Sequence, residues 1–388
     1  MESDVWWLLL LLPPIFFGIG WTVARVDMKE VVRQAKFIPA AFYKALEGLA
    51  DNDGGRATHE LAIIADNMPD SSYELRLTLG RLYRSRGEND KAIRLLDDLC
   101  RASDTVGDKK QRALFELGLA YQNAGLVDRA ERTFLKLLDG NMAREARELL
   151  LHIYQQDRDW EKAVEMAQLL SYDEQTYQFE IAQFHCETAQ AALFKSDADT
   201  ARRHIAAALE ANRKCCRANI ILGDLEQKQG RYAAAAEAYA AIEKQNHAYL
   251  GMVGERIYDA YDAQGLAEEG LDILIGYAKT FPQLNLLDII YDKMLLRHGE
   301  QAANEIMAEL VRAKPDLNGA YRLLGLKIND INPQLKADAE LMRGIIGRQM
   351  QKSWMYRCRH CHFKSQVFFW HCPACSKWET FTPNKIEV

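Results

Sequence analysis

From Phe37 onward the apolar positions recur with helical spacing, and the helices they predict come in pairs. Gly80 and Ala92, Gly118 and Ala130, and Gly223 and Ala235 are small residues twelve apart, and a turn glycine follows the first of each by seven, at Gly87, Gly125 and Gly230. Large residues fill in around them: Leu79, Tyr83 and Leu96; Leu117, Tyr121 and Phe134; Leu222, Tyr232 and Tyr239. Small residues at matched heights let two antiparallel helices approach closely. Following the second small position gives Ala57, Ala92, Ala130, Ala163, Ala201, Ala235, Gly270 and Asn304, in steps of 33 to 38 residues. The longest steps have extra residues available at 101–108 and 171–176, which read as lengthened turns. Pro69, Pro282 and Pro315 fall where a second helix should end. A final helix is predicted over 333–352, with Leu335, Ala339, Leu341, Met342, Ile345, Ile346 and Met350 on one face.

This is the helix-turn-helix period of a tetratricopeptide array. The predicted body is an all-α superhelix of about eight helix pairs over residues 37–352, its first and last pairs degenerate. Such arrays present a concave groove to proteins or peptides and bring no chemistry of their own. His59, His152, His185, His204, His247 and His298 are scattered at helical positions without partners at ligand or triad spacing, so no catalytic set is expected and the chain does not read as an enzyme. Cys100, Cys186, Cys215 and Cys216 fall on helical patterns without ligand spacing and read as buried, reduced thiols.

Ahead of the array, residues 5–24 carry no charge, enough to cross a bilayer as a helix of roughly 30 Å. Trp6 and Trp7 sit at one end and Trp21 at the other, and Pro13-Pro14 should kink the middle. Glu2 and Asp4 precede the run, whereas Arg25, Lys29, Arg33 and Lys36 follow it. The positive-inside rule then leaves the body in the cytoplasm. A cleaved signal peptide would need a basic leading region, which is missing, although Thr22-Val-Ala24 mimics a cleavage site. Residues 1–25 are therefore expected to be a transmembrane anchor and 26–36 a basic linker.

The strongest chemical signal lies at the other end. Cys358 and Cys361, then Cys372 and Cys375, are two Cys-x2-Cys pairs separated by ten residues. Two tight turns of this kind facing each other make a tetrahedral thiolate cage suited to one zinc or iron ion. A segment of 353–388 cannot bury enough apolar area to fold alone, so the metal is the expected staple. Tyr356, Phe363, Phe368, Phe369, Trp370 and Trp378 are available for a small core, with Phe368, Phe369 and Trp378 also placed to dock the segment on the array. His360, His362 and His371 are expected to face solvent or outer partners. The pattern resembles a rubredoxin-type ribbon, with His362 and Ser376 where rubredoxins usually place glycine.

The whole chain carries a formal charge of −6. From Gln351 onward six Lys/Arg face two Glu, which makes the ribbon basic and the remainder acidic, so nucleic acid is not the expected main partner. Metal-type cysteine pairs without a disulfide pattern point to a reducing compartment.

Span, array and ribbon in this order resemble the lipopolysaccharide assembly protein B family (LapB, also called YciM) of Gram-negative bacteria. The resemblance is carried by Leu79-Gly-Arg-Leu-Tyr-Arg-Ser-Arg-Gly-Glu88, Asp90-Lys-Ala-Ile-Arg-Leu95, Ala124-Gly-Leu-Val-Asp-Arg-Ala-Glu131, Glu180-Ile-Ala-Gln-Phe-His-Cys-Glu187, Tyr356-Arg-Cys and Trp370-His-Cys-Pro-Ala-Cys375. It implies a non-enzymatic inner-membrane adaptor, its bulk on the cytoplasmic side. Such adaptors act beside the protease FtsH to promote degradation of the deacetylase LpxC, opposed by an inner-membrane sensor called PbgA, YejM or LapC. Two other readings of the ribbon stay open: a rubredoxin-type electron carrier and a zinc-ribbon nucleic-acid binder.

Overall fold

Small residues at matched positions set the helix pairing. The structure, a computed structural model, describes Trp21 and residues 42–387 except 49, 52, 68–72, 103–104, 172–176, 314, 316, 329–331 and 384–385. Apart from Trp21, the expected span and basic linker lie outside the described residues, as do Pro69 and the turn after Ser171. Among the described residues no helix is long and apolar enough to cross a membrane.

Two compact units are present, one ending at Asp157 and the other beginning at Arg158. The first contains α1 (Gly54–Asn67), α2 (Tyr73–Ser85), α3 (Asn89–Arg101), α4 (Asp108–Asn123), α5 (Val127–Phe134) and α6 (Ala143–Asp157). Gly80 on α2 lies against Leu96 on α3, and Gly118 on α4 lies against Phe134 on α5. A methyl group at Gly118 would sit 2.5 Å from the Phe134 ring, so only glycine admits the aromatic knob. Ala92, Leu96, Ala113, Leu117 and Ala120 fill the spaces between these pairs and are buried.

The second unit contains α7 (Trp160–Ser171), α8 (Gln178–Phe194), α9 (Ala198–Ala211), α10 (Cys216–Lys228), α11 (Tyr232–Asn246), α12 (Leu250–Asp262), α13 (Ala267–Thr280), α14 (Leu287–Ala313), α15 (Leu317–Lys327) and α16 (Pro333–Ser353). Here Gly223 on α10 receives the ring of Tyr239 from α11. The Tyr239 hydroxyl, at the far end of that ring, donates to Asp224 at 2.7 Å. Pro282 and Pro315 follow the ends of α13 and α14, as expected.

One capping device ends the first helix of the regular pairs. Gly87, Gly125 and Gly230 have φ of +76°, +73° and +73°, a left-handed conformation costly for other residues. The next N–H, of Glu88, Leu126 or Arg231, then reaches back to the carbonyl of Tyr83, Tyr121 or Glu226. Ser196 adopts φ +60° at the same place after α8, with Asp197 N–H donating to Ala192, so a repeat without its turn glycine still closes. Gly299 does something different. Its φ of +84° breaks α14 into two arms, with Asn304 on the second. With Asn304 the eighth marked small position, α14 folds back as a helix pair of its own, and α15–α16 is a further pair beyond those marked by small residues.

Replacing Gly118 or Gly223 by Ala is expected to destabilise by about 1–3 kcal/mol through overpacking. Gly276, in α13 with open space around it, should instead accept Ala with a gain of up to about 1 kcal/mol. Urea denaturation of the three variants checks this, and equal effects at all three sites would contradict the knob-into-glycine packing.

Candidate metal centre

The ribbon begins directly where α16 ends. Its strands β1 (Trp354–Arg357), β2 (Lys364–Ser365) and β3 (Ile386–Glu387) form a small antiparallel sheet in the order β2-β1-β3, with Tyr356 opposite Ser365 and Met355 opposite Ile386. Two matching turns project from it. In the first, the N–H of Cys358 donates to Phe363 and that of His362 to Cys358. In the second, Cys372 N–H donates to Lys377 and Ser376 N–H to Cys372. Closing each turn requires a left-handed residue after the second cysteine, and His362 and Ser376 take φ of +62° and +53° there. The sequence departs from glycine at these positions, but the backbone does not depart from the knuckle.

The turns bring all four sulfurs within 4.8 Å of one another. Cys358 Sγ lies 3.8 Å from Cys375 Sγ, and Cys361 Sγ lies 3.7 Å from Cys372 Sγ. A tetrahedral ion with bonds of about 2.3 Å sets its sulfurs about 3.8 Å apart, so the donor set fits zinc or iron. Burial works against charge on Cys358. The Cys361 and His360 N–H groups and the Thr380 hydroxyl outweigh it and hold that thiol at about 6. Cys358 and Cys372 are buried, Cys375 is half-buried, and Cys361 is exposed at the rim.

The aromatic residues divide into two sets. Phe381, absent from the sequence-predicted group, is the centre of the ribbon's own core, touched by Phe363, Phe368 and Phe369. It lies beyond the Cys-x2-Cys frame, where no spacing rule marks it. Trp370 and Trp378 face the array instead. Trp378 meets Trp160 of α7 and Phe184 of α8 edge-on at 5.9 and 6.0 Å, and Trp370 stacks on Tyr249 at 5.1 Å. Phe368 also meets Tyr249, whereas Phe369 does not contribute as expected and serves Phe381. His360 and His362 are exposed, but His371 is half-buried with its ring 4.4 Å from Trp378.

Between the two tryptophans lies Arg217, whose side chain is 3% exposed. Its guanidinium stands 5.6 Å from the Trp370 ring and 5.8 Å from the Trp378 ring. Glu187 and Gln190 of α8 accept its hydrogen bonds at 2.7 and 2.8 Å. Beside it, Gln183 donates to Glu379 of the ribbon at 2.6 Å. Burial pushes the Glu379 carboxyl up, opposed by this hydrogen bond and by Arg217. The ribbon thus rests on α7, α8, α10 and the turn entering α12, in the middle of this unit and not at the end of the array.

Two further groups meet that the sequence left unpaired. His185 and His204 approach to 3.1 Å between Nδ1 atoms, and burial holds His185 down at about 4. Cys186 and Cys215 bring their sulfurs to 3.7 Å. Both pairings join helices whose alignment depends on repeat geometry, which residue spacing alone does not supply.

Residues 356–383 match the family described as a rubredoxin metal binding domain, the LapB zinc ribbon. Residues 77–145 and 186–249 match tetratricopeptide repeats. Lipopolysaccharide assembly protein B of Escherichia coli K12 is 27% identical over 380 residues, covering 97% of both chains. Along nearly its whole length, array and ribbon together, the chain is similar to lipopolysaccharide assembly protein B. The Haemophilus influenzae protein of the same name is also 27% identical, over 97% of this chain and 98% of its own. The alignment to these relatives takes in both array and ribbon, so it covers the seat around Arg217 as well as the cysteines.

Arg217→Ala would leave the partly exposed Glu187 without its cation and strip the charge from Trp370 and Trp378, at a cost of about 1–3 kcal/mol. Limited proteolysis should then release the ribbon faster while fragments of the first unit keep their resistance. Unchanged ribbon release would show that the seat does not rest on Arg217. Ser376→Gly is expected to preserve or raise ribbon stability by up to about 1 kcal/mol, because glycine removes the left-handed strain. A loss in thermal denaturation would contradict the knuckle assignment.

Proposed function

We propose that this protein is a non-enzymatic adaptor in the control of lipopolysaccharide assembly, anchored in the inner membrane by residues 5–24 with its bulk in the cytoplasm. The observation carrying this reading is the alignment along 97% of both chains with proteins named for lipopolysaccharide assembly. An array joined to a seated ribbon supplies surfaces for proteins. In this reading the adaptor presents LpxC to FtsH and is restrained by the PbgA/YejM/LapC sensor through the span. Holding client and protease on one molecule raises the effective concentration of each for the other.

Cys358, Cys361, Cys372 and Cys375 would hold one zinc or iron ion, whose chemistry here is to bind four thiolates and fix the two turns. The chain's own groups do the rest. Backbone N–H groups favour the thiolates, Phe381 fills the core above them, and Trp370 and Trp378 carry the seat. A second reading, electron transfer, draws on the exposed edge at Cys361. Metal analysis and the visible spectrum of protein purified without added metal separate the two. The adaptor reading expects one ion per chain, lost in the double variant Cys358→Ser/Cys372→Ser with the array helices kept. Reversible iron redox chemistry supports the carrier instead.

The cellular test is LpxC half-life at matched expression. Removing the protein should lengthen it, and a chain lacking residues 1–25 should restore it only in part. An LpxC half-life indifferent to complete removal would overturn the adaptor reading.

A further inference from the structure

Beneath the ribbon seat lies a pair of thiols that the metal centre does not use. Cys186 lies within α8 and Cys215 at the N-cap of α10. Both are fully buried, with sulfurs 3.7 Å apart. Their surroundings are unequal. The S–H of Cys186 and the N–H of Ala218 lower the pKa of Cys215 against the effect of burial. The same hydrogen bond, with burial, pushes Cys186 up. Glu379 of the ribbon works against charge on Cys215, and Arg217, two residues further along α10, works for it at the helix N-terminus. One sulfur is thus disposed to be nucleophilic while its neighbour holds a proton. Neither other array cysteine shares this arrangement. Cys216 turns towards the Lys214 carbonyl and is pushed up by burial to about 12, and burial pushes Cys100 up to about 11.

The ribbon reaches the pair through Gln183. The Gln183 amide nitrogen lies 3.7 Å from Cys215 Sγ and 2.6 Å from Glu379 Oε1. A single side chain therefore touches both the thiol and the ribbon that covers it.

We propose that Cys186 and Cys215 form a dithiol oxidised by hydroperoxides, with access governed by the seating of the ribbon. The Cys215 thiolate attacks one peroxide oxygen and the O–O bond breaks. The departing hydroxide takes up the proton that Cys215 released on becoming a thiolate and leaves as water, and Cys215 is left as a sulfenic acid. Cys186 then gives up its proton as its sulfur attacks that of Cys215. The S–O bond breaks, a second water leaves, and the S–S bond forms. Two thiols lose two electrons and one hydrogen peroxide gains them. Closing 3.7 Å to a bond of about 2.05 Å moves Cys215 beneath Gln183, so oxidation also disturbs the Gln183–Glu379 contact.

The test uses the full chain, treated with hydrogen peroxide, alkylated and digested without reduction for peptide mass spectrometry. Cys215 and Cys216 share one tryptic peptide, so the assignment is made in a Cys216→Ser background. The expected result is joint loss of free Cys186 and Cys215 with a linked peptide, while Cys100 stays free. In Cys186→Ser the sulfenic acid should persist at Cys215 and be captured by dimedone. Trp378→Ala, which removes the ring between Trp160 and Phe184, should speed linkage roughly tenfold by loosening the cover. Circular dichroism establishes that its helices remain. Oxidation of Cys215 no faster than Cys100 would overturn the dithiol, and equal linkage rates with and without the Trp378 ring would overturn the gating. Both readouts are independent of any effect on LpxC, so failure of the adaptor reading would be seen separately.

Discussion

The second unit depends on one buried cation. Removing a guanidinium from water costs several kcal/mol, and it stays in place only if its hydrogen bonds are met and its charge is balanced. Arg217 meets most of this demand from two sides, with its Nε left without a hydrogen-bond partner. Glu187 and Gln190 of the array take its N–H groups, while Trp370 and Trp378 of the ribbon offer their ring faces. Neither side is complete alone. The array without the ribbon would expose Arg217, Trp160, Phe184 and Tyr249, and the ribbon without the array would expose two tryptophans. The seat is thus a shared core, closer to a domain interior than to a tethered module.

This coupling gives a metal centre at the chain's end influence over helices far back in the sequence. Four thiolates around an ion would fix two turns. The turns set the directions of Trp370 and Trp378, and these in turn close over Arg217, beside which Gln183 meets Glu379. Binding energy at an ion held there would become folding energy for the ribbon, and the stacked rings would pass part of it to α8 and α10. A repeat array usually limits each repeat to its neighbours. Here the ribbon bridges α7, α8, α10 and the start of α12, and makes this stretch more cooperative than a plain solenoid.

Much of this was legible from residue types alone. The Gly80, Gly118 and Gly223 positions named the helix crossings, and the large residues that fill them, Leu96, Phe134 and Tyr239, were those expected. The doubled Cys-x2-Cys frame located the centre, and even its two non-glycine knuckle positions proved left-handed. What escaped depends on alignment between separate elements. Phe381 has no spacing to mark it. Cys186 and Cys215 meet only because adjacent helix pairs stack at a particular height, and His185 and His204 only because α8 and α9 align within their pair. Arg217 reads in sequence as an ordinary surface cation, since nothing local announces two tryptophans from the far end of the chain. The eight marked small positions also undercounted the helices, because α15 and α16 pack through larger residues such as Tyr321 against Gly347 and Arg343.

The central claim is that the metal-fixed ribbon completes the core of the array at Arg217. Hydrogen exchange of the full chain, before and after removal of the metal by a chelator, tests it most directly. The account predicts faster exchange in the ribbon and in α8 and α10 around Gln183 and Arg217, with α2 to α5 unchanged. Faster exchange confined to the ribbon, with α8 and α10 as protected as before, would contradict it.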